Sequence, residues 1–236
     1  MKQRLSISIS LIGVNAAVFT ILYLYHVGFP IIGLSGAKPI SIAEAYALAA
    51  GYLFGWEIGF VSIFVGGLIS SYIVFSPPFY ILNFLPASIS ALLTGLFKEN
   101  KVKPLLLYTL LLIMYLLYPY VGVLWLYPLN IWFHILIASI YLIVYFRYGE
   151  RVIDHNLGLF LIILLSTLAA QLTGSILFEI LYYPTINVEG FKGIWMLTTL
   201  IYPVERILLA IGGYILVIGL KKVFEKYDIL SIIRMD

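Results

Sequence analysis

Long runs of apolar residues, separated by short polar or glycine- and proline-rich segments, dominate this chain of 236 residues. A helix needs about 20 apolar residues to cross a bilayer, and several of the runs have this length. The pattern predicts eight membrane spans, at residues 5–25, 40–57, 58–75, 79–97, 104–124, 128–146, 156–181 and 193–220. Gly55 and Gly59 lie where the second span meets the third, so these two can also form a broken or tilted pair.

The composition agrees with a protein that is surrounded by lipid. Hydrophobic residues make up 63% of the chain, charged residues make up 11%, and the mean hydropathy is +1.07. A soluble domain of this size needs a polar surface that such a composition does not supply. We therefore expect an all-α polytopic bundle in the lipid bilayer, with residues 1–236 forming a single transmembrane domain.

The basic residues indicate the orientation of the chain. All fourteen Lys and Arg residues except Lys38, Lys192 and Arg206 lie near the N terminus, in segments 98–103 and 147–151, or in the C-terminal tail. With eight spans these segments share one side of the membrane, and the positive-inside rule makes that side the cytoplasm. The sequence therefore predicts a multi-pass protein of the cell membrane with both termini cytoplasmic. The net charge of +3 then reflects orientation and not nucleic-acid binding.

Polar side chains inside the predicted spans crowd toward the outer side of the membrane. Such groups are unfavourable in hydrocarbon unless they face protein or water. We therefore expect several of them to line one outward pocket that binds a small solute. The candidate binding residues are Glu44, Asn83, Asn130, His134, Gln171, Glu179, Glu205 and Arg206.

Two other interpretations of these residues remain open. Glu179 or Glu205 can simply pair with Arg206 and fix the helix register, while the amides join neighbouring helices by hydrogen bonds. Glu44 and Glu179 lie near span ends, where a charged side chain can also reach the membrane interface.

Residues typical of enzymes and metal sites are scarce. The chain has no Cys, which excludes thiolate catalysis, disulfides and thiolate metal sites. Its three His are too few for a histidine-rich metal site, and a lone His such as His134 is typically a hydrogen-bonded packing residue. No nucleotide-binding loop is present. We therefore predict no catalytic residue, no metal site and no cofactor.

Small residues on the first span predict a close helix contact. Gly13 and Ala17 are four positions apart and therefore lie on one face of a helix. Small residues at this spacing let two helices approach closely, either within the chain or with a partner protein.

The first hundred residues resemble the substrate-binding (S) component of energy-coupling factor transporters. The resemblance rests on a proline-containing outer loop at 29–31, a glycine turn at 51–59 and a glycine-rich helix with Gly66 and Gly67. The next helix opens with a proline at 85–87 and closes with glycine and a basic loop at 94–98. The family usually has six spans. Residues 1–103 are therefore the S-component-like half, and residues 104–236 carry additional spans.

The resemblance implies a membrane protein that captures a vitamin-like small solute from the outside. It also implies a partner, a transmembrane coupling subunit that works with ATPase subunits. Gly13 and Ala17 would face that subunit, and the loop between residues 26 and 38 would cover the pocket. Ligand-specific residues cannot be carried over, because they differ between subfamilies.

Three functions are therefore weighed for this chain. The leading one is a solute-binding component of a transporter. The second is a non-catalytic membrane subunit that scaffolds a larger complex, which fits the few polar residues in segment 105–129. The third is an enzyme that acts on a lipid-linked substrate, with His134, Glu205 and Arg206 as the reactive group.

Overall fold

The computed structural model describes residues 2–25, 28–29 and 40–227, and this part of the chain is almost entirely helical. The α-helices are α1 (Lys2–Leu24), α2 (Ile42–Ile73), α3 (Phe84–Glu99), α4 (Pro104–Leu117), α5 (Val123–Leu126), α6 (Trp132–Tyr148), α7 (Asn156–Tyr182) and α8 (Val188–Lys226). Short 3₁₀ helices cover Tyr80–Asn83, Pro128–Ile131 and Gly149–Asp154.

A two-residue strand pair links the region after α1 to the start of α2. Strand β1 (Gly28–Phe29) runs antiparallel to strand β2 (Ile40–Ser41), with Gly28 opposite Ser41. The loop expected to cover the pocket, residues 26–38, lies mostly outside the described residues, as does Lys38.

Six helical stretches in the described part of the chain are long and apolar enough to cross a membrane. They are Leu5–Leu24, Ile42–Ile73, Tyr80–Glu99, Pro128–Asp154, Asn156–Tyr182 and Val188–Lys226. Helix α4 is also apolar but has only 14 residues. The expected helical fold is therefore confirmed, and its six apolar helical stretches are compatible with a multi-pass membrane protein, whereas the count of eight spans and the cytoplasmic termini stay predictions.

Helix α2 breaks at Gly55, which has φ +83° and ψ 173°. A Cβ added to Gly59 would lie 2.7 Å from the Cα of Gly51. Residues eight positions apart in a straight helix are about 12 Å apart, so the chain reverses direction at this point. A positive φ favours glycine, which explains the residue type at this turn. We call the two halves of the hairpin α2a (residues 42–54) and α2b (residues 56–73).

Helix α4 ends earlier than the predicted fifth span, residues 104–124. The residue before a proline is disfavoured in the α conformation, and Pro119 follows Tyr118. Tyr118 has φ −54° and ψ 130°, so the helix stops at Leu117. The chain then turns and forms the single-turn helix α5 before it enters α6.

Side-chain contacts define two ends of the bundle. At one end the Tyr182 hydroxyl donates to the carbonyl of Pro78 (2.9 Å), and the Trp195 indole donates to the carbonyl of Val121 (3.0 Å). These bonds bring together the α2–α3, α4–α6 and α7–α8 connections, and we call this the upper end.

The opposite, lower end holds the remaining connections. The Tyr141 hydroxyl donates to the carbonyl of Lys101 (2.6 Å), which joins α6 to the α3–α4 connection. The Lys98 ammonium donates to the carbonyl of Leu53 (3.0 Å), near the turn at Gly55. Consecutive segments from α2a to α8 therefore alternate in direction.

Helix α7 is the centre of the bundle. It packs against α3, α4, α6 and α8, and 78% of the residues in its most apolar 18-residue stretch are buried inside the protein. Helix α1 packs on α2 at the periphery, and only 17% of the residues in its most apolar 18-residue stretch are buried. A polar side chain near the upper end of α7 is therefore enclosed by protein and not by lipid.

Candidate functional site

Asn130 joins three helices near the upper end of the bundle. It follows the turn at Tyr127-Pro128, which places it just before α6, and it is only 3% exposed. Its side-chain oxygen accepts from the Tyr115 hydroxyl of α4 (2.9 Å). Its side-chain nitrogen lies 2.8 Å from the Trp195 carbonyl and 3.1 Å from the Thr199 hydroxyl, both on α8. Its hydrogen-bonding groups are therefore used within the protein.

His134 lies one helical turn below Asn130 and is 1% exposed. The distance between its Nδ1 and the Tyr108 hydroxyl is 2.8 Å. Its ring stacks on the Tyr202 ring, with centroids 5.3 Å apart. The Tyr202 hydroxyl in turn donates to the backbone carbonyl of Asn130 (2.7 Å). His134 is therefore continuous with the group around Asn130.

Arg206 follows Tyr202 by one turn of α8 and is 7% exposed. Its Nη2 lies 3.8 Å from Oε2 of Glu205, a long ion pair between sequence neighbours. Arg206 also lies within electrostatic range of His134. Its Nε is buried and has no hydrogen-bond partner within the described residues. The expected pairing with Glu205 therefore exists, but it leaves part of the guanidinium unsatisfied.

Glu179 is fully buried one turn before the upper end of α7. Neither of its carboxylate oxygens has a hydrogen-bond partner in the described part of the chain. The nearby Tyr115 lies within electrostatic range. A buried carboxyl group without a partner destabilises a protein by about 1–3 kcal/mol even when neutral, and by more when ionised. Of the two acids considered as partners of Arg206, the described structure pairs it with Glu205 and not with Glu179.

Most of the predicted site residues therefore belong to one buried group, which we call the upper cluster. Helices α4, α6, α7 and α8 surround it. Its members are Tyr108, Tyr115, Asn130, His134, Glu179, Trp195, Thr199, Tyr202, Glu205 and Arg206.

Gln171 lies at the edge of the upper cluster. It is partly buried on α7, and its amide nitrogen lies 3.3 Å from the Ser175 hydroxyl one turn later. Ser175 lies beside Tyr115. Gln171 therefore reaches the cluster only through Ser175.

Two of the predicted site residues lie apart from the upper cluster. Asn83 donates to the carbonyl of Ser76 (2.6 Å) and accepts from the backbone nitrogen of Phe79 (3.3 Å), so it stabilises the α2–α3 turn. Glu44 is partly buried on α2a, within electrostatic range of Tyr23 on α1. Asn83 and Glu44 are therefore not among the candidates that the structure brings together in the upper cluster.

Gly13 and Ala17 lie on the exposed side of α1. A Cβ added to Gly13 would meet no atom within 4 Å. The opposite face of α1, with Ala16 and Phe19, is buried. Gly13 and Ala17 therefore do not pack against another helix of the described chain, and contact with a partner protein remains the alternative.

The aromatic members of the upper cluster were not predicted as site residues. Tyr108 and Tyr115 are seven positions apart, which places them on one face of α4. Trp195, Thr199 and Tyr202 share a face of α8 for the same reason. This spacing is the sequence signal that could have identified them as site residues. Aromatic residues in the core of any helical protein show the same spacing, so the signal is not specific.

No protein-family model matches this chain, and no curated protein or solved structure matches it either. Within residues 2–25, 28–29 and 40–227, no three His, Asp or Glu side chains are grouped in a way that would hold a metal ion. The upper cluster, with its partly unsatisfied acid and guanidinium, is therefore the best candidate for a functional site.

Proposed function

We propose that this protein binds a small polar solute in the upper cluster, as the substrate-binding component of a membrane transporter. The observation that supports this most is Glu179, which is fully buried while both of its carboxylate oxygens lack a protein partner. Intramembrane acids that are not used in helix packing typically mark solute or ion pathways. A bound solute with a hydrogen-bond donor would satisfy Glu179.

The hydrogen bonds of Asn130 assign it a supporting role in this proposal. It holds the Tyr115 hydroxyl and bonds the backbone carbonyl of Trp195, and Tyr115 lies near Glu179. Glu179 and Arg206 are then the groups with capacity left for a solute.

One observation favours the second candidate function, a non-catalytic scaffold subunit. The polar groups around Asn130 are satisfied by one another, as in a cluster that only joins helices. The exposed small residues Gly13 and Ala17 suit contact with another membrane protein in both cases. In the transporter case that partner is a transmembrane coupling subunit with ATPase subunits.

The proposed topology has eight crossings, with α2a and α2b each crossing the membrane and the lower end in the cytoplasm. The lower end carries Lys98, Lys103, Arg147 and Lys226, as the positive-inside rule requires of a cytoplasmic side. A solute would then enter the upper cluster from outside the cell.

The topology is testable with single cysteines, because the chain has none of its own. We expect Lys192→Cys to react with a membrane-impermeant maleimide in intact cells. Lys103→Cys and Glu57→Cys, at exposed positions of the lower end, are expected to react only after permeabilisation. Reaction of Lys103→Cys in intact cells would show that the protein has the opposite orientation. No reaction of Glu57→Cys before or after permeabilisation would show that α2a and α2b do not cross the membrane.

The binding function is testable by native mass spectrometry of the protein released from nanodiscs. We expect the wild-type protein to retain a small solute and Glu179→Gln to retain it about tenfold less or worse, since a hydrogen bond to a charged group contributes about 1.5–3 kcal/mol. Glu189→Gln is the matched control, because it removes an acid from an exposed position at the same end.

Equal retention of the solute by Glu179→Gln and the wild-type protein would show that the solute does not bind in the upper cluster. If no solute is retained after gentle extraction, and none binds when it is added, the scaffold function replaces the proposal.

A further inference from the structure

The upper cluster contains two acidic residues, Glu179 and Glu205, beside His134 and Arg206. The 3.8 Å ion pair of Arg206 uses Glu205. In the described part of the chain the other ion pair, Lys221–Glu225, is exposed at the lower end. No Lys, Arg or His nitrogen described in the structure therefore lies within ion-pairing distance of Glu179.

An aromatic ring, that of Tyr115, lies near Glu179 and packs against a further ring. Tyr115, which is within electrostatic range of Glu179, packs edge-on against Trp195 with ring centroids 5.4 Å apart. Trp195 also contacts Phe191 (5.8 Å) and Phe178 (6.3 Å). The faces of aromatic rings attract cations, and Trp does so most strongly.

We infer that the solute bound by the upper cluster carries a positively charged nitrogen, which pairs with Glu179 among these aromatic rings. This inference rests on the proposed solute-binding function and names the class of solute. An organic ammonium group would donate to the carboxyl oxygens of Glu179, which have no partner among the described residues, and its apolar body suits the nearby Tyr115 ring. An acidic solute placed at Glu179 would bring two carboxyl groups together in a buried site, where like charges repel.

A bare metal ion does not fit this position. Calcium and magnesium need about six or more oxygen ligands, and the described residues form no group of three or more His, Asp or Glu that could hold a metal ion. The hydroxyl of the nearby Tyr115 already donates to Asn130 (2.9 Å). The position therefore suits an organic cation better than calcium or magnesium.

The test uses three probes of similar size on the full chain in nanodiscs, with binding measured by calorimetry. The probes are 2-phenylethylammonium, 2-phenylethanol and phenylacetate. We expect the wild-type protein to bind the ammonium probe about tenfold or more tightly than the other two, as a charge-assisted contact would produce. Glu179→Gln is expected to lose this preference, and Glu179→Asp, which keeps a carboxyl group, is expected to retain it in part. Glu189→Gln is the control that leaves it unchanged.

Equal binding of the three probes, absence of ammonium binding, or a preference that persists in Glu179→Gln would overturn the inference. The retained solute separates this failure from that of the proposed function. A retained solute without a cationic nitrogen would contradict only the inference that the solute is positively charged. If no solute is retained and none binds when added, both this inference and the proposed solute-binding function are wrong.

Discussion

Gly51→Ala is expected to prevent stable folding of the bundle. A Cβ at this position would lie 2.1 Å from the carbonyl oxygen of Ala91 and 3.0 Å from its Cα, which are backbone atoms of α3. Because a backbone cannot rotate away as a side chain can, α2a and α3 would have to separate. Overpacking of a core typically destabilises by about 1–3 kcal/mol, and we expect this variant to reach or exceed the upper value.

Separation of α2a from α3 would also disturb the turn at Gly55. Gly59 packs against Gly51 across the hairpin, and Gly95 of α3 packs against the backbone of Trp56 with a Cβ-to-Cα distance of 2.4 Å. These close approaches share the same three segments, so a shift that relieves one of them opens the others. The loss in stability is therefore expected to be cooperative.

The measurement is the unfolding midpoint in mixed detergent micelles, followed by circular dichroism. Gly13→Ala is the matched control, because its Cβ would meet nothing within 4 Å. Since Ala favours helix over Gly by about 1 kcal/mol, the control is expected to be unchanged or slightly stabilised. A wild-type midpoint for Gly51→Ala would show that α2a and α3 do not approach as closely as the structure has them.

Much of the helical framework follows from local sequence signals. The predicted seventh span, residues 156–181, agrees closely with Asn156–Tyr182, because a long apolar run there is bounded by polar residues and a proline. The break at Gly55 lies where the glycine turn was expected. The early end of α4 was missed, although Pro119 was a visible signal, because apolar residues continue beyond it.

The grouping of polar residues was only partly predictable. The four-residue spacing of Asn130 and His134 predicted that they lie on the same face of a helix, since residues four apart on a helix lie above one another. It did not show that Glu44 packs near α1, because a loop length does not specify which helices become neighbours. Nor did it show that Glu179 stays unpaired while Arg206 contacts Glu205, since these are relations between helices.

Asn130→Leu is expected to destabilise the protein by about 2–4 kcal/mol, the sum of several lost hydrogen bonds and newly unsatisfied groups. Leucine has the same branching and number of side-chain heavy atoms but leaves the Tyr115 hydroxyl and the Thr199 hydroxyl without their Asn130 partner. These bonds join α4 and α8 to the start of α6. The Tyr202 bond to the backbone carbonyl of residue 130 is retained, so the loss is confined to the side chain.

The control for this variant is Gln171→Leu. Gln171 makes one 3.3 Å contact, within its own helix, so its replacement is expected to change stability by less than about 1 kcal/mol. Unfolding of both variants by dodecyl sulfate in mixed micelles measures the difference. Equal midpoints for the two variants would contradict the role of Asn130 as the link between α4, α6 and α8.

The pair Asn130→Leu and Glu179→Gln also separates the two candidate functions. In a solute-binding cluster the residues have separate roles. Loss of the Asn130 side chain then lowers stability, whereas loss of the Glu179 carboxyl group lowers solute retention and leaves stability intact or improved. A scaffold has no such division, because each of its polar groups acts only through packing. Measuring unfolding and solute retention on both variants therefore decides between them: a stable Glu179→Gln protein that has lost its solute supports binding.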